Sequence, residues 1–133
     1  MTVFVDTGAW FALAVQSDAD HVTAIEWLEN NERPLVTTDY VIDELLTLLM
    51  SRVNPQMAIR TGETLLETDM AHIEHITEQD IAQAWAIFKR HHDKRWSFTD
   101  CTSKVVIERL GIQEAFAFDK HFEQFGSVVR VPN

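Results

Sequence analysis

The 133-residue chain predicts a layered α/β domain built around a parallel sheet. Three observations carry that expectation. Short apolar runs rich in β-branched and aromatic residues alternate with longer stretches of helical periodicity, the pattern of strand–helix–strand units. Capping signals mark most of the helix starts. Apolar residues make up 46% of the chain, against only four glycines and three prolines, so there is a core to bury and little loop to spare. Residues 1–133 read as one domain.

Taken in order, Val3 to Val5 is a buried strand ending at Asp6, and Gly8 to Val15 is a short helix or turn. Ser17 with Asp20 three positions on reads as a capping box for a helix carrying Val22, Ile25 and Leu28 on one face. Pro34 to Thr37 gives a second strand, after which Thr38 or Asp39 caps an apolar helix from Tyr40 to Arg52. Asn54-Pro55 opens the next helix, with proline at its first position. His72 to Ile76 is a weak third strand. Thr77 with Asp80 caps a helix whose apolar stripe is Ile81, Ala84, Trp85 and Phe88. Ser97 with Asp100 repeats the signal ahead of Val105, Val106 and Leu110, and Gly111 ends that helix. Glu114 to Phe118 and Ser127 to Val131 complete five strands. No repeat or low-complexity segment interrupts the series.

Composition narrows the function classes. The single cysteine, Cys101, excludes an intrachain disulfide and fits a reducing cytoplasm. No apolar run approaches a membrane span and no leader pattern opens the chain, so a soluble, cytoplasmic protein without a membrane partner is expected. The formal charge of −10 excludes binding to nucleic acid through general basicity. Either a local basic patch and a bound metal offset it, or the partner is itself basic.

Four acids stand apart from the other carboxylates by their surroundings: Asp6 in VFVDTGAWF, Glu44 in VIDELLTLL, Asp100 in SFTDCTSK and Asp119 in AFAFDKHF. Asp6 and Asp119 each follow a strand-like run, and residues past the carboxyl ends of parallel strands line one crevice. Each acid also has a purely structural explanation. Asp6 before Thr7-Gly8 suits a turn, Asp100 completes a capping box, and Asp119 suits the start of a last short helix. Glu44 suits a solvated helix face, although it flanks the stripe of Val41, Leu45 and Leu48 rather than opposing it. Carboxylates brought together would hold Mg²⁺ or Mn²⁺ rather than zinc, and such ions hydrolyse phosphodiesters. Competing nucleophile and zinc motifs are missing: there is no G-x-S-x-G and no H-E-x-x-H, and Cys101 reads as a small helix residue. His91-His92 and His72/His75 read as surface or strand residues.

V-D-T-G-A, D-E-L, F-T-D-C and A-F-D-K-H-F, in that order, resemble the pattern of PIN-domain ribonucleases, especially the VapC-type toxins. The resemblance covers essentially the whole chain. It implies a three-layer α/β/α sandwich with a five-stranded parallel sheet and Mg²⁺- or Mn²⁺-dependent cleavage of single-stranded RNA. It further implies a site made of Asp6, Glu44, Asp100 and Asp119, with Thr7 hydrogen-bonding inside it, a cognate antitoxin and a homodimer. Gly8 departs from the serine or asparagine that relatives often carry. Trp10 and Phe11, just past Asp6, are the apolar residues placed for partner contact. The run Lys89, Arg90, His91, His92, Asp93, Lys94, Arg95 gathers four basic residues ahead of Trp96, suggesting phosphate contacts and a base-stacking ring. The competing classes are a PIN-like domain kept only for binding and a metal-dependent phosphatase. The second needs an aspartate two positions after Asp6, where Gly8 stands.

Overall fold

The computed structural model describes residues 1–133 and contains one five-stranded sheet in the order β3-β2-β1-β4-β5, every neighbouring pair parallel. The strands are β1 Val3–Val5, β2 Leu35–Thr38, β3 His72–Glu74, β4 Glu114–Phe116 and β5 Val129–Val131. The helices are α1 Thr7–Ala14, α2 His21–Asn30, α3 Asp39–Arg52, α4 Pro55–Glu67, α5 Glu78–Arg90, α6 Phe98–Leu110 and α7 His121–Gln124. A 3₁₀ turn at His92–Lys94 joins α5 to α6. The expected α/β architecture with five parallel strands is what forms.

The strand order follows from burial. β1 and β2 are buried at every position, as are Ala115 and Phe116 of β4, so these three strands occupy the interior of the sheet. β3 and β5, with half-exposed residues, take the edges. The chain builds outward from β1 through β2 to β3, then returns to lay β4 on the other side of β1. That reversal opens a crevice at the carboxyl ends of β1 and β4, where ligands bind in sheets of this type. The two strands run in register, Val5 beside Phe116, and the Asp6 amide donates to Phe116 O at 3.0 Å. Phe4, Phe116 and Phe122 are wholly buried beneath the crevice. Trp10 is largely buried too, its Nε1 donating to Thr37 Oγ1 at 3.2 Å while its ring lines an apolar groove with Leu13, Ile25 and Leu28.

Several helix starts form as the sequence indicates. Thr38 caps α3 through Val41 N, and Asn54 caps α4 through Met57 N. Complete capping boxes at Thr77/Asp80 and Ser97/Asp100 open α5 and α6, and Gly111 closes α6 in the left-handed conformation at φ 66°. The Ser17/Asp20 box does not form. Asp18 Oδ2 instead accepts from Asp20 N, and α2 begins at His21, whose Nδ1 lies 2.6 Å from Ala12 O. With that start Val22 points outward at 66% exposure, while Ala24 is buried and Trp27 stacks on Phe116.

Strand ends are shorter than expected, because β3 stops at Glu74, β4 at Phe116, and β5 begins only at Val129. The stripe of α5 is also a correction. Only Ala84 is buried, against α6, whereas Ile81, Trp85 and Phe88 remain 37%, 51% and 38% exposed. Beside the packing of Ala84, Ile87 and Phe88, ion pairs fasten α5. Arg109 of α6 donates to both carboxylate oxygens of Asp80 and, through its other nitrogen, to Glu74 of β3. Burial alone would raise the Asp80 carboxyl, but these bonds and those from Thr77 hold it below the usual range.

Candidate metal centre

The four acids are carried by different elements; ligand-atom distances join Asp100 and Asp119, and Asp6 and Glu44 lie within electrostatic reach of both. Asp6 caps α1 with its backbone: its carbonyl accepts from Ala9 N and Trp10 N, both at 3.1 Å, and its side chain makes no capping bond. The bland turn reading therefore leaves the carboxylate unused. That carboxylate is almost fully buried. Burial first, then the charge of Asp100, with smaller pushes from Glu44 and Asp119, raises its pKa to about 8, while the Thr7 amide pulls it down. One acid feeling the other three means that all four share a region of space.

Glu44 projects from α3, half-buried, as its place beside the stripe suggests. Its pKa is raised by burial and by Asp100, Asp119 and Asp43, with the Thr7 hydroxyl acting against them. Thr7 is itself buried, and its Oγ1 lies close enough to Glu44 to lower that carboxyl without completing a hydrogen bond of full geometry. A buried hydroxyl with unspent hydrogen-bonding capacity beside carboxylates fits a place built for a cation or its water.

Asp100 serves two purposes at once. It completes the α6 capping box, accepting from Ser97 N through Oδ2 at 3.0 Å, and the same oxygen lies 2.9 Å from His121 Nδ1. Both bonds fall on Oδ2, so the oxygen that caps α6 also faces His121 in the crevice. Asp119 follows β4 after two residues. Its Oδ1 accepts from His121 N at 2.9 Å and stands 3.3 Å from His121 Nδ1. Ligand atoms of Asp100, Asp119 and His121 lie within 4.8 Å of one another. His121 was not singled out by the sequence; the signal was its place two residues after Asp119 in A-F-D-K-H-F. The other histidines have ordinary settings: His72 pairs with Glu74, His75 with Asp39, and His91 packs on Trp96.

The donor set fits a hard divalent cation, and His121 is the one basic side chain paired with these carboxylates. A serine at position 8 would also fit, since a Cβ on Gly8 meets only Asp6 Oδ2, at 4.0 Å. Cys101 is no nucleophile: burial and Asp100 push its thiol up to about 11. The basic run divides. Lys89, Arg90, Lys94 and Arg95 are exposed, whereas Trp96 is 5% exposed, donating to Gln124 Oε1 at 2.8 Å and packing edge-on to Phe125. A base cannot stack on a ring enclosed in this way. The tryptophan anchors the segment to α7.

Residues 3–128 match the family model described as PIN domain. The 23S rRNA-specific endonuclease VapC20 of Mycobacterium tuberculosis is 36% identical over 126 residues, covering 95% of both chains. A VapC ribonuclease of Archaeoglobus fulgidus is 28% identical, covering 92% of this chain and 80% of its own. The crystal structure of Mycobacterium tuberculosis VapC20, described as a sarcin–ricin-loop-cleaving toxin, superposes with a TM-score of 0.90 at 34% identity, over 95% of this chain and 96% of that one. The promoter-bound VapBC2 structure from Rickettsia felis shares the fold alone, with a TM-score of 0.68 at 9% identity over 98% of this chain and 97% of that one.

Proposed function

The chain belongs to the PIN-domain family, in its VapC-type branch, and from that premise we propose that it is a metal-dependent endoribonuclease, the toxin of a toxin–antitoxin pair. The observation that carries the proposal is Asp6, a buried carboxyl pushed to about 8 by its surroundings and by three neighbouring acids. Such an arrangement is costly to the fold on its own and would be relieved by a divalent cation. Asp6, Glu44, Asp100 and Asp119 would hold Mg²⁺ or Mn²⁺, which when bound neutralises charge on a phosphodiester and makes water acidic enough to attack it.

The protein's part is placement. The β1–β4 register fixes Asp6, the Ser97 box fixes Asp100, and the turn onto α7 fixes Asp119. Lys89, Arg90, Lys94 and Arg95 would contact the phosphates of a single strand entering beside α6. A loop of ribosomal RNA is the first substrate to assay, since that is the target named for the relative at 36% identity.

The antitoxin would seat an apolar segment in the groove of about 210 Å³ between α1, α2 and α4, lined by Trp10, Leu13, Ile25, Leu28, Leu65 and Met70. Self-association would use the uncovered Ile81, Trp85 and Phe88 of α5. No helix is long and apolar enough to cross a membrane, and a free, buried cysteine suits the cytoplasm where RNA is met.

Expression in a bacterial host tests the toxin reading. Wild-type protein alone arrests growth, and Asp119→Ala at equal soluble level does not. Equal growth with both would contradict it.

A further inference from the structure

We infer that His121 supplies a nitrogen donor to the metal centre and so makes the site prefer Mn²⁺ over Mg²⁺. The inference rests on the reading of the four acids as metal ligands, and it adds a residue and a selectivity that the four acids alone do not give.

The geometry is specific. His121 Nδ1 lies 2.9 Å from Asp100 Oδ2 and 3.3 Å from Asp119 Oδ1. Ligand atoms bonded to an octahedral ion at about 2.1 Å stand about 3 Å apart when adjacent, so both spacings match neighbouring corners of one coordination shell. The imidazole is also held in place. Its own amide donates to Asp119 Oδ1, and the next residue, Phe122, is wholly buried against Phe4 and Phe125. Its side chain is 27% exposed, open enough for an ion to enter. A second feature of the crevice points to a ligand: the Thr7 hydroxyl, buried beside Glu44 without a hydrogen bond of full geometry.

Donor chemistry gives the selectivity. Mg²⁺ takes oxygen ligands in a strict octahedron and sheds water reluctantly, whereas first-row transition ions accept imidazole readily. A centre of carboxylates alone would treat Mg²⁺ and Mn²⁺ alike. A centre with one imidazole among them favours Mn²⁺. The competing role for His121 is a plain counterion, paired with Asp100 and Asp119 and pushed aside when the ion enters.

The test uses the full chain loaded with Mn²⁺ alone and read by pulsed electron paramagnetic resonance, with calorimetric titration of Mn²⁺ and Mg²⁺ alongside. The expected result is a directly bonded nitrogen in the wild-type spectrum, absent in His121→Gln. The variant should bind Mn²⁺ about tenfold or more weakly, a loss typical of disturbed metal sites, with a much smaller change for Mg²⁺. Mn²⁺ bound without nitrogen coupling, or an equal loss for both ions, would overturn the role of His121 and leave an oxygen-only centre standing. Failure of the wild type to bind either ion, with Asp6→Asn no different, would remove the metal centre itself. The wild-type spectrum decides the matter even if the variant does not fold.

Discussion

Replacing Asp6 with asparagine should stabilise the metal-free protein, and the effect should grow with pH. The Asp6 carboxyl titrates at about 8 in the fold and near the ordinary aspartate value of 3.8 when exposed by unfolding. Between those values the native state holds a proton that the unfolded chain has released, so stability falls as pH rises. The contribution is fully present below pH 4 and is spent by pH 8. Each pH unit in that window costs about 1.4 kcal/mol, or about 4 kcal/mol by pH 7. Water entering the crevice would reduce this, but half of it is still about 2 kcal/mol. For a chain of this length 1 kcal/mol moves Tm by about 3–4 °C, so Asp6→Asn should melt about 7–14 °C above wild type at pH 7. The assay is thermal and urea unfolding of both proteins in chelator, at several pH values from 4 to 8. The gap should open steadily with pH and be small at pH 4. A variant less stable than wild type at every pH, or a gap independent of pH, would refute the reasoning and make Asp6 a structural residue.

Saturating Mn²⁺ or Mg²⁺ should raise the wild-type Tm, by about 2.7 kcal/mol of added stability at a hundredfold excess over Kd, and leave Asp6→Asn unmoved; an equal rise in both would place the ion elsewhere. Because the ion must displace a proton from Asp6, affinity measured by calorimetry should increase with pH up to about 8. Replacing Arg109 with methionine leaves the Asp80 charge buried and unpaired, and denaturant unfolding should show a loss of about 2 kcal/mol or more, with metal binding preserved. Changing Lys94 and Arg95 to glutamate should weaken RNA binding and lower its log–log salt slope by about 0.7 per lost contact, and unchanged binding would remove this run from the RNA path.

How much of this was legible in the sequence varied with the range of the interactions. Signals contained within four residues were read correctly where nothing distant competed, as at Thr77/Asp80, Ser97/Asp100 and Gly111. Ser17/Asp20 carried the same local signature and failed, because His21 is tied to the end of α1 nine residues earlier. Burial set by distant partners was the harder part. Trp96 follows a basic run and reads as a surface ring, yet Gln124 and Phe125 enclose it from 28 and 29 residues away. Ile81, Trp85 and Phe88 have the periodicity of a core stripe, but only Ala84 is buried; Phe88 touches α6 edge-on at Phe98, and Arg109 ties α6 to Asp80. The strands ending at Asp6 and near Asp119 were visible as apolar runs, while their adjacency depends on a chain reversal that no local pattern encodes. His121 escaped notice because its significance lies in two distances rather than in a motif.

The central claim is that the acids of the β1–β4 crevice hold a divalent cation that cleaves RNA. The most direct measurement is cleavage of an end-labelled ribosomal-RNA loop by purified wild-type protein and by Asp6→Asn, with Mn²⁺, with Mg²⁺ and with EDTA. The account predicts discrete internal cleavage by the wild type with metal, none with EDTA, and none by a folded Asp6→Asn. Cleavage that survives EDTA, or that Asp6→Asn retains in full, would contradict it.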